Sequence, residues 1–268
     1  MNYSDKIKNN LSKENNAFLE QISALPVSSN ISQLISMNYF EMVEYLLKKY
    51  GKAQNDYIVW SKKCGEYRKN QKIARTKEGL QCHHIDEYTI PALSLSASRL
   101  FSEKELEHHK ADKLVYADVI EHLLLHIKIY QESKYNNEPY AVGFGGVYLL
   151  TEMNINVYYE QKPNSNWEKN MYDKIKDNFD DYIIFLVFWL YVSDIKVLDP
   201  FFHKVGEKKS VRCMDICEKM AVCYGGTISK TVLTALQNVL RQSHLQELIA
   251  QKNQKMNEHI DSLIKGIY

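Results

Sequence analysis

Cysteine is scarce in this chain, and its spacing matches neither a disulfide framework nor a zinc ribbon. There are five cysteines, an odd number, and no Cys-x-x-Cys pair. Free thiols of this kind fit a cytoplasmic protein. A cysteine-based structural zinc site is not expected. Cys213 and Cys217, at helical spacing, are interpreted as core residues.

Long hydrophobic runs and an excess of one charge are also missing. The most apolar stretch, residues 182–192, is shorter than the ~20 residues needed to span a bilayer, so we expect a buried helix and no membrane partner. Residues 1–16 are polar and contain no apolar signal core. Lys and Arg total 34 against 33 Asp and Glu. Because the net charge is only +1, any surface that attracts nucleic acid must be local.

The hydrophobic pattern is mainly that of helices. Apolar residues at three- and four-residue spacing predict helices over 17–25 and 34–47, separated at Pro26. Residues 136–268 also look largely helical. Within them, residues 211–240 follow a helix-turn-helix pattern around a Gly-Gly turn. Helix pairs of this kind are common in α proteins, so the pattern alone does not establish DNA binding.

Positive charge is concentrated in residues 55–80. This segment contains seven basic residues within 16 positions, and only Glu66 opposes them there. They are Lys62, Lys63, Arg68, Lys69, Lys72, Arg75 and Lys77. An isolated run of this kind is usually a solvated surface. Because it leads directly into a histidine pair, we interpret it as a surface that contacts phosphate groups.

Four histidines stand on three short predicted elements. Residues 79–85 form a strand-like run that contains His83 and His84, whose side chains would point to opposite faces. Residues 114–117 are a second candidate strand. Residues 119–130 predict a helix on which His122 and His126, four positions apart, share one face. Histidines at this spacing can bind one metal ion together. The bland alternative is a polar helix edge beside an unrelated histidine pair.

Strand, loop, strand and helix with these histidines resemble the ββα-metal finger of the HNH endonucleases. The likeness is to phage and mobile-element HNH proteins, and also to the nuclease colicins. In that family an Asn stands nine residues before the first helix histidine, and Lys113 holds this position here. The resemblance covers about residues 75–130. The expected fold is therefore α+β, mostly α-helical, with a small ββα-metal finger between helical segments.

The resemblance also implies a role for each residue. His84 would be the general base that takes a proton from the attacking water. The expected cofactor is one divalent metal ion on His83, His122 and His126, with Mg²⁺ ranked before Mn²⁺, Zn²⁺ or Ni²⁺. Asp86 or Glu121 would orient a ligand histidine. The expected nucleic-acid contacts are Arg68, Lys69, Lys72, Arg75 and Lys77.

Two features depart from the family pattern. A lysine cannot accept a hydrogen bond, so Lys113 cannot fix the base as the family's Asn does. Either Lys113 binds phosphate, or the site is weakened or inactive. The loop between the strands, residues 86–112, is also long. His108 and His109 in this loop are interpreted as exposed helix residues, and Cys82 as a packed strand residue.

The leading hypothesis is a cytoplasmic, metal-dependent HNH endonuclease that acts on DNA. A homodimer is one option for the helical flanks. The alternatives are a non-catalytic DNA-binding regulator on a degenerate finger and an RNA-directed nuclease or toxin. The expected organisation is a helical segment over 1–54, the nuclease module over 55–135 and a helical region over 136–268.

Overall fold

The structure is a computed structural model that describes most of the chain up to residue 193 and one further helix. The described residues are 5–90, 93, 103–133, 135, 142–151, 155, 158–159, 163, 165–193, 230–242 and 245. The fold is α+β and mostly helical, as the sequence predicts. Within these ranges, no helix is long and apolar enough to cross a membrane.

The described helices vary from one turn to more than four turns. They are α1 (Asp5–Gln21), α2 (Ser29–Ser36), α3 (Tyr39–Tyr50), α4 (Glu103–Glu107), α5 (Val119–Ser133), α6 (Phe144–Leu150), α7 (Asn166–Ile175), α8 (Phe179–Val192) and α9 (Lys230–Gln242). The strands are β1 (Ile58–Ser61), β2 (Glu66–Lys69), β3 (Gln81–His84) and β4 (Leu114–Ala117), and they form two antiparallel pairs, β1 with β2 and β3 with β4.

One compact unit comprises residues 1–38, 130–141 and 178–268. Its core is aromatic: the ring of Phe18 on α1 lies 4.9 Å from that of Phe188 on α8, and Tyr130 lies 4.5 Å from Trp189. The apolar stretch at 182–192 is a buried helix, α8, as predicted. Ser28 caps the start of α2 by accepting a hydrogen bond from the Ile31 amide.

The other compact unit comprises residues 39–129 and 142–177. It contains the predicted strand–loop–strand–helix order, because β3 pairs with β4 and α5 begins directly after β4. In the β3–β4 register, His83 is opposite Val115 and His84 is opposite Leu114. This unit contains a buried apolar cluster, which consists of Ala53, Tyr57, Ile58, Ile73, Leu80, Leu114 and Tyr116.

Some predicted boundaries differ from the structure or lie outside it. The helix predicted over 34–47 is two helices, because α2 ends at Ser36 and α3 begins at Tyr39. Residues 211–229 of the predicted helix-turn-helix, including Cys213 and Cys217, lie outside the described residues. The end of that pattern lies in α9. The division at 54 and 135 stays a prediction.

Candidate metal centre

The structure brings together the three histidines that were predicted to bind metal. His83 lies on β3, and His122 and His126 lie on α5. Their ring centroids are 4.9–5.0 Å apart. One nitrogen from each ring lies within 4.8 Å of the other two, so this group could hold a metal ion. His83 and His126 are buried, and His122 is half-buried.

The hydrogen bonds around the trio determine which ring nitrogens carry protons. Tyr39 donates its hydroxyl proton to the Ile85 carbonyl, and its oxygen lies 2.9 Å from His83 Nε2. This oxygen therefore accepts from His83 Nε2–H. The amide oxygen of Gln81, 2.7 Å from His122 Nδ1, accepts from that nitrogen in the same way. Outer partners of this kind fix the tautomer of metal-binding histidines.

The two remaining nitrogens, His83 Nδ1 and His122 Nε2, are 3.0 Å apart. Because the proton of each ring is committed to its outer partner, both inner nitrogens present lone pairs. Two lone pairs at this distance repel each other unless a proton or a cation lies near both. The donor set therefore fits a bound cation.

Burial keeps the three imidazoles in the neutral form that binds metal. Desolvation lowers the pKa of His83 and of His122 well below the ordinary value, and neighbouring histidines add to the effect. Desolvation alone lowers the pKa of His126 to about 4. The trio therefore needs no deprotonation at pH 7 before it binds a cation.

Gly146 on α6 provides the space for the His126 ring. A Cβ atom at this position would lie 2.2 Å from His126 Nδ1, far inside van der Waals contact. His126 Nδ1 is buried, and it has no hydrogen-bond partner among the residues that the structure describes. The His126 ring therefore packs directly against the backbone of Gly146, and this contact with α6 holds the ring in place.

Glu121 does not orient a ligand histidine, in contrast to the sequence-based expectation. Its carboxylate accepts hydrogen bonds from Lys49 at 2.6 Å, Tyr50 at 2.8 Å and the Asp118 amide at 3.0 Å. Asp118 in turn caps α5 by accepting from the amides of Ile120 and Glu121. Glu121 therefore fixes the start of α5, one residue before His122.

Asp86 also lies away from the three candidate ligands. Its carboxylate contacts His108 Nδ1 at 2.7 Å and Lys113 Nζ at 3.5 Å. The carboxylate beside the trio is that of Glu87, which the sequence-based reasoning missed. Glu87 Oε2 lies 3.5 Å from His83 Nδ1 and 3.7 Å from His126 Nε2. The only available sequence signal was its place four residues after His83.

His84 points to the opposite face of β3 from His83, as the strand alternation predicts. Its Nε2 lies 2.9 Å from Nδ1 of His109, and its ring packs against Tyr57 at 4.3 Å. Its own Nδ1 has no hydrogen-bond partner within the described part of the chain. His84 is fully buried, and burial, followed by the neighbouring His109 and Lys69, lowers its pKa to about 3.

The interpretation of His109 as an exposed residue is wrong. Helix α4 ends at Glu107, and the following turn directs His109 inward, where it is only 1% exposed. The His109 carbonyl accepts a hydrogen bond from the Tyr57 amide, which ties the turn to the core. His108 is half-buried and contacts Asp86. Cys82 packs against the buried cluster, as expected.

The basic segment is a hairpin, β1–β2, followed by two 3₁₀ turns. Its exposed Lys72 and Lys77 lie on these turns. Arg68 pairs with Glu66 on the same strand, and Lys69 lies over the Tyr57 ring. The indole of Trp60 is 53% exposed at the hairpin.

Arg75 is a structural residue rather than a free charge. Its guanidinium donates to the Tyr50 carbonyl at 2.6 Å and to Glu78 at 2.7 Å, and it lies over the Tyr116 ring. The hydrogen bond with Glu78 raises the pKa of Arg75. These contacts tie the turn that precedes β3 to the end of α3.

Comparison of the chain with protein-family models, with curated proteins and with solved structures gives no match. Any assignment of function therefore depends on the residues and geometry described above.

Proposed function

We propose that this protein is a metal-dependent endonuclease of the HNH type that hydrolyses DNA phosphodiester bonds. The observation that carries the proposal is the pair of inner nitrogens on His83 and His122, which lie 3.0 Å apart beside His126. They lie on a strand and a helix of a ββα unit. The same strand carries a further histidine, His84, next to the first ligand.

The divalent ion, when bound to His83, His122 and His126, would polarise the scissile phosphate. His84 is neutral at pH 7, as a proton acceptor must be. Its Nε2–H donates to His109 Nδ1 in this proposal, so His84 Nδ1 is the nitrogen that accepts the proton from water. His109 thus positions the base, which is the task that Lys113 cannot perform.

The donor set also changes the expected metal. Mg²⁺ prefers oxygen ligands, whereas imidazole suits Zn²⁺, Ni²⁺ and iron. Three imidazole nitrogens therefore favour Ni²⁺ or Zn²⁺ over the Mg²⁺ that the sequence suggested. Lys113, with its ammonium group near Asp86 and half-exposed, is assigned to phosphate contact.

The proposal predicts that His84→Ala abolishes DNA nicking but leaves metal binding intact. Loss of a general base typically reduces the rate by about 10²–10⁴-fold. His122→Ala is the matched comparison, because it should abolish nicking and metal binding together. The measurement is conversion of supercoiled plasmid to open circles with Mn²⁺, Ni²⁺, Zn²⁺ or Mg²⁺, alongside metal content and melting temperature. Unchanged nicking by folded His84→Ala would exclude the mechanism.

A second prediction concerns the basic segment. Lys72→Ala combined with Lys77→Ala should weaken DNA binding and reduce the slope of log affinity against log salt by about 1 for each lysine. Arg75→Ala should instead destabilise the fold by about 1–3 kcal/mol, because it leaves polar partners unsatisfied. Filter binding at several salt concentrations and thermal unfolding separate the two effects. Equal loss of stability in all variants would contradict this assignment.

A non-catalytic DNA-binding regulator is the second candidate. It is favoured by the complete burial of His84 and by Lys113 at the position of the family's Asn. This candidate predicts salt-sensitive DNA binding without cleavage in the presence of any metal.

Replacing the plasmid with single-stranded DNA or tRNA in the same assay tests for an RNA-directed nuclease.

A further inference from the structure

Glu87 is a buried carboxylate on the 3₁₀ turn that follows β3. It is 7% exposed. Its Oε2 faces two histidines of the candidate metal centre, at 3.5 Å from His83 and 3.7 Å from His126.

A carboxylate near a metal-binding histidine can either orient the ring or bind the metal directly. The position of Glu87 relative to the two rings distinguishes these roles. A carboxylate that orients a ligand histidine binds the ring nitrogen that points away from the metal. On His83 that outer nitrogen is Nε2, and Tyr39 occupies it. Glu87 lies instead beside the inner nitrogen, Nδ1, on the side where a cation would bind.

The spacing between the donor atoms also suits direct coordination. Metal bonds of about 2.0–2.1 Å in tetrahedral geometry place neighbouring donor atoms about 3.3 Å apart. The inner nitrogens of His83 and His122 are 3.0 Å apart, and Glu87 Oε2 is 3.5 Å from His83 Nδ1 and 3.7 Å from His126 Nε2. The two distances to Glu87 are too long for good hydrogen bonds. Together, the three distances of 3.0, 3.5 and 3.7 Å lie on either side of the spacing expected between neighbouring metal ligands.

We infer that Glu87 is a fourth protein ligand of the metal centre, so that the ion is bound by three imidazoles and one carboxylate. The carboxylate adds a negative charge to the site. A divalent cation should therefore bind more tightly to the four groups than to the three neutral imidazoles alone. Four protein ligands would fill a tetrahedral Zn²⁺ site, whereas a six-coordinate ion such as Mn²⁺ would keep two positions. The consequence for the reaction rests on the proposed nuclease function: Mn²⁺ would support cleavage and Zn²⁺ would inhibit it.

Cobalt titration of the metal-free full chain tests the inference without any measurement of cleavage. The visible absorption of Co²⁺ reports its ligands, and a competing chelator gives its affinity. Glu87→Gln keeps the side-chain shape and removes the charge, and it should weaken Co²⁺ binding at least tenfold and change the spectrum. Asp86→Asn is the matched control on the same turn. It should leave Co²⁺ affinity and the spectrum nearly unchanged, because the Asp86 carboxylate contacts His108 and Lys113 and not the three histidines.

Unchanged affinity and spectrum in Glu87→Gln would overturn the inference. If that variant fails to fold, X-ray absorption spectra of Mn²⁺ or Co²⁺ bound to the unmodified protein test the inference instead. A carboxylate oxygen together with three imidazoles supports the inference, and three imidazoles with only water oxygens overturn it. The two proposals fail separately. A protein that binds metal through Glu87 without cleaving nucleic acid excludes the nuclease alone, and cleavage with unaltered metal binding in Glu87→Gln excludes the fourth ligand alone.

Discussion

Gly146→Ala is expected to reduce metal affinity by two orders of magnitude or more, while Gly145→Ala leaves it unchanged. The added methyl group at Gly146 would lie 2.2–2.4 Å from three atoms of the His126 ring. The ring is buried between α5 and α6, so relief requires movement of His126 or of α6. Overpacking of this kind typically costs about 1–3 kcal/mol. A displaced His126 ring also removes one of the three nitrogen ligands.

Gly145 is a closely matched control because it lies on the same helix, one residue away. A Cβ atom at Gly145 would meet nothing within 4 Å, and the position is exposed. Alanine there should stabilise the helix slightly, by at most about 1 kcal/mol. Metal affinity from a chelator competition and the melting temperature of the metal-free chain give both effects. Equal affinities in the two variants would mean that the His126 ring is not held by α6.

The candidate metal ligands could be predicted because they depend on local geometry. His122 and His126 are four residues apart on a predicted helix, and helical geometry alone places them together. His83 follows from its position on a short apolar run, since a strand directs it away from His84. The pairing of β3 with β4 then brings the strand histidine to the helix.

The supporting residues could not be predicted because they arrive through tertiary contacts. Tyr39 precedes its partner His83 by 44 positions, and no motif marks it. Asp86 and Glu87 are adjacent acids, and the 3₁₀ turn decides which of them faces the trio. His109 lies among charged residues that suggest exposure. Only its carbonyl hydrogen bond with the Tyr57 amide and its contact with His84 reveal that it belongs to the core.

The metal-free protein is expected to become less stable between pH 7 and pH 5. Four histidines (His83, His84, His122 and His126) have pKa values lowered by desolvation, to about 3 for His84 and about 4 for His126. In the unfolded chain a histidine has a pKa of about 6.5. The unfolded state therefore binds more protons as the pH falls below 6.5, and stability decreases with falling pH.

The magnitude follows from the same linkage. A buried histidine whose folded pKa is near 4 contributes a loss of about 2 kcal/mol at pH 5 relative to pH 7. His84 and His126 together then account for about 4 kcal/mol, which is large against the 5–15 kcal/mol, roughly, that stabilises a typical domain. Asp118 acts in the opposite direction, because burial raises its pKa to about 7. Its carboxyl group takes up a proton in the folded state as the pH falls below 7, and this uptake stabilises the folded state.

Urea unfolding of the metal-free chain at pH 7, 6 and 5 measures this dependence, and Asp118→Asn separates the two contributions. Asparagine is also a good N-cap residue, so the start of α5 should survive while the titrating carboxyl group is removed. The variant should therefore lose more stability on acidification than the original chain. Saturating Mn²⁺ at pH 6 should restore stability, since a ligand of the folded state stabilises it by mass action. A free energy of unfolding that stays constant or rises from pH 7 to pH 5 would mean that the histidines titrate normally. The conclusion that burial keeps the three histidines neutral and able to bind metal would then be wrong.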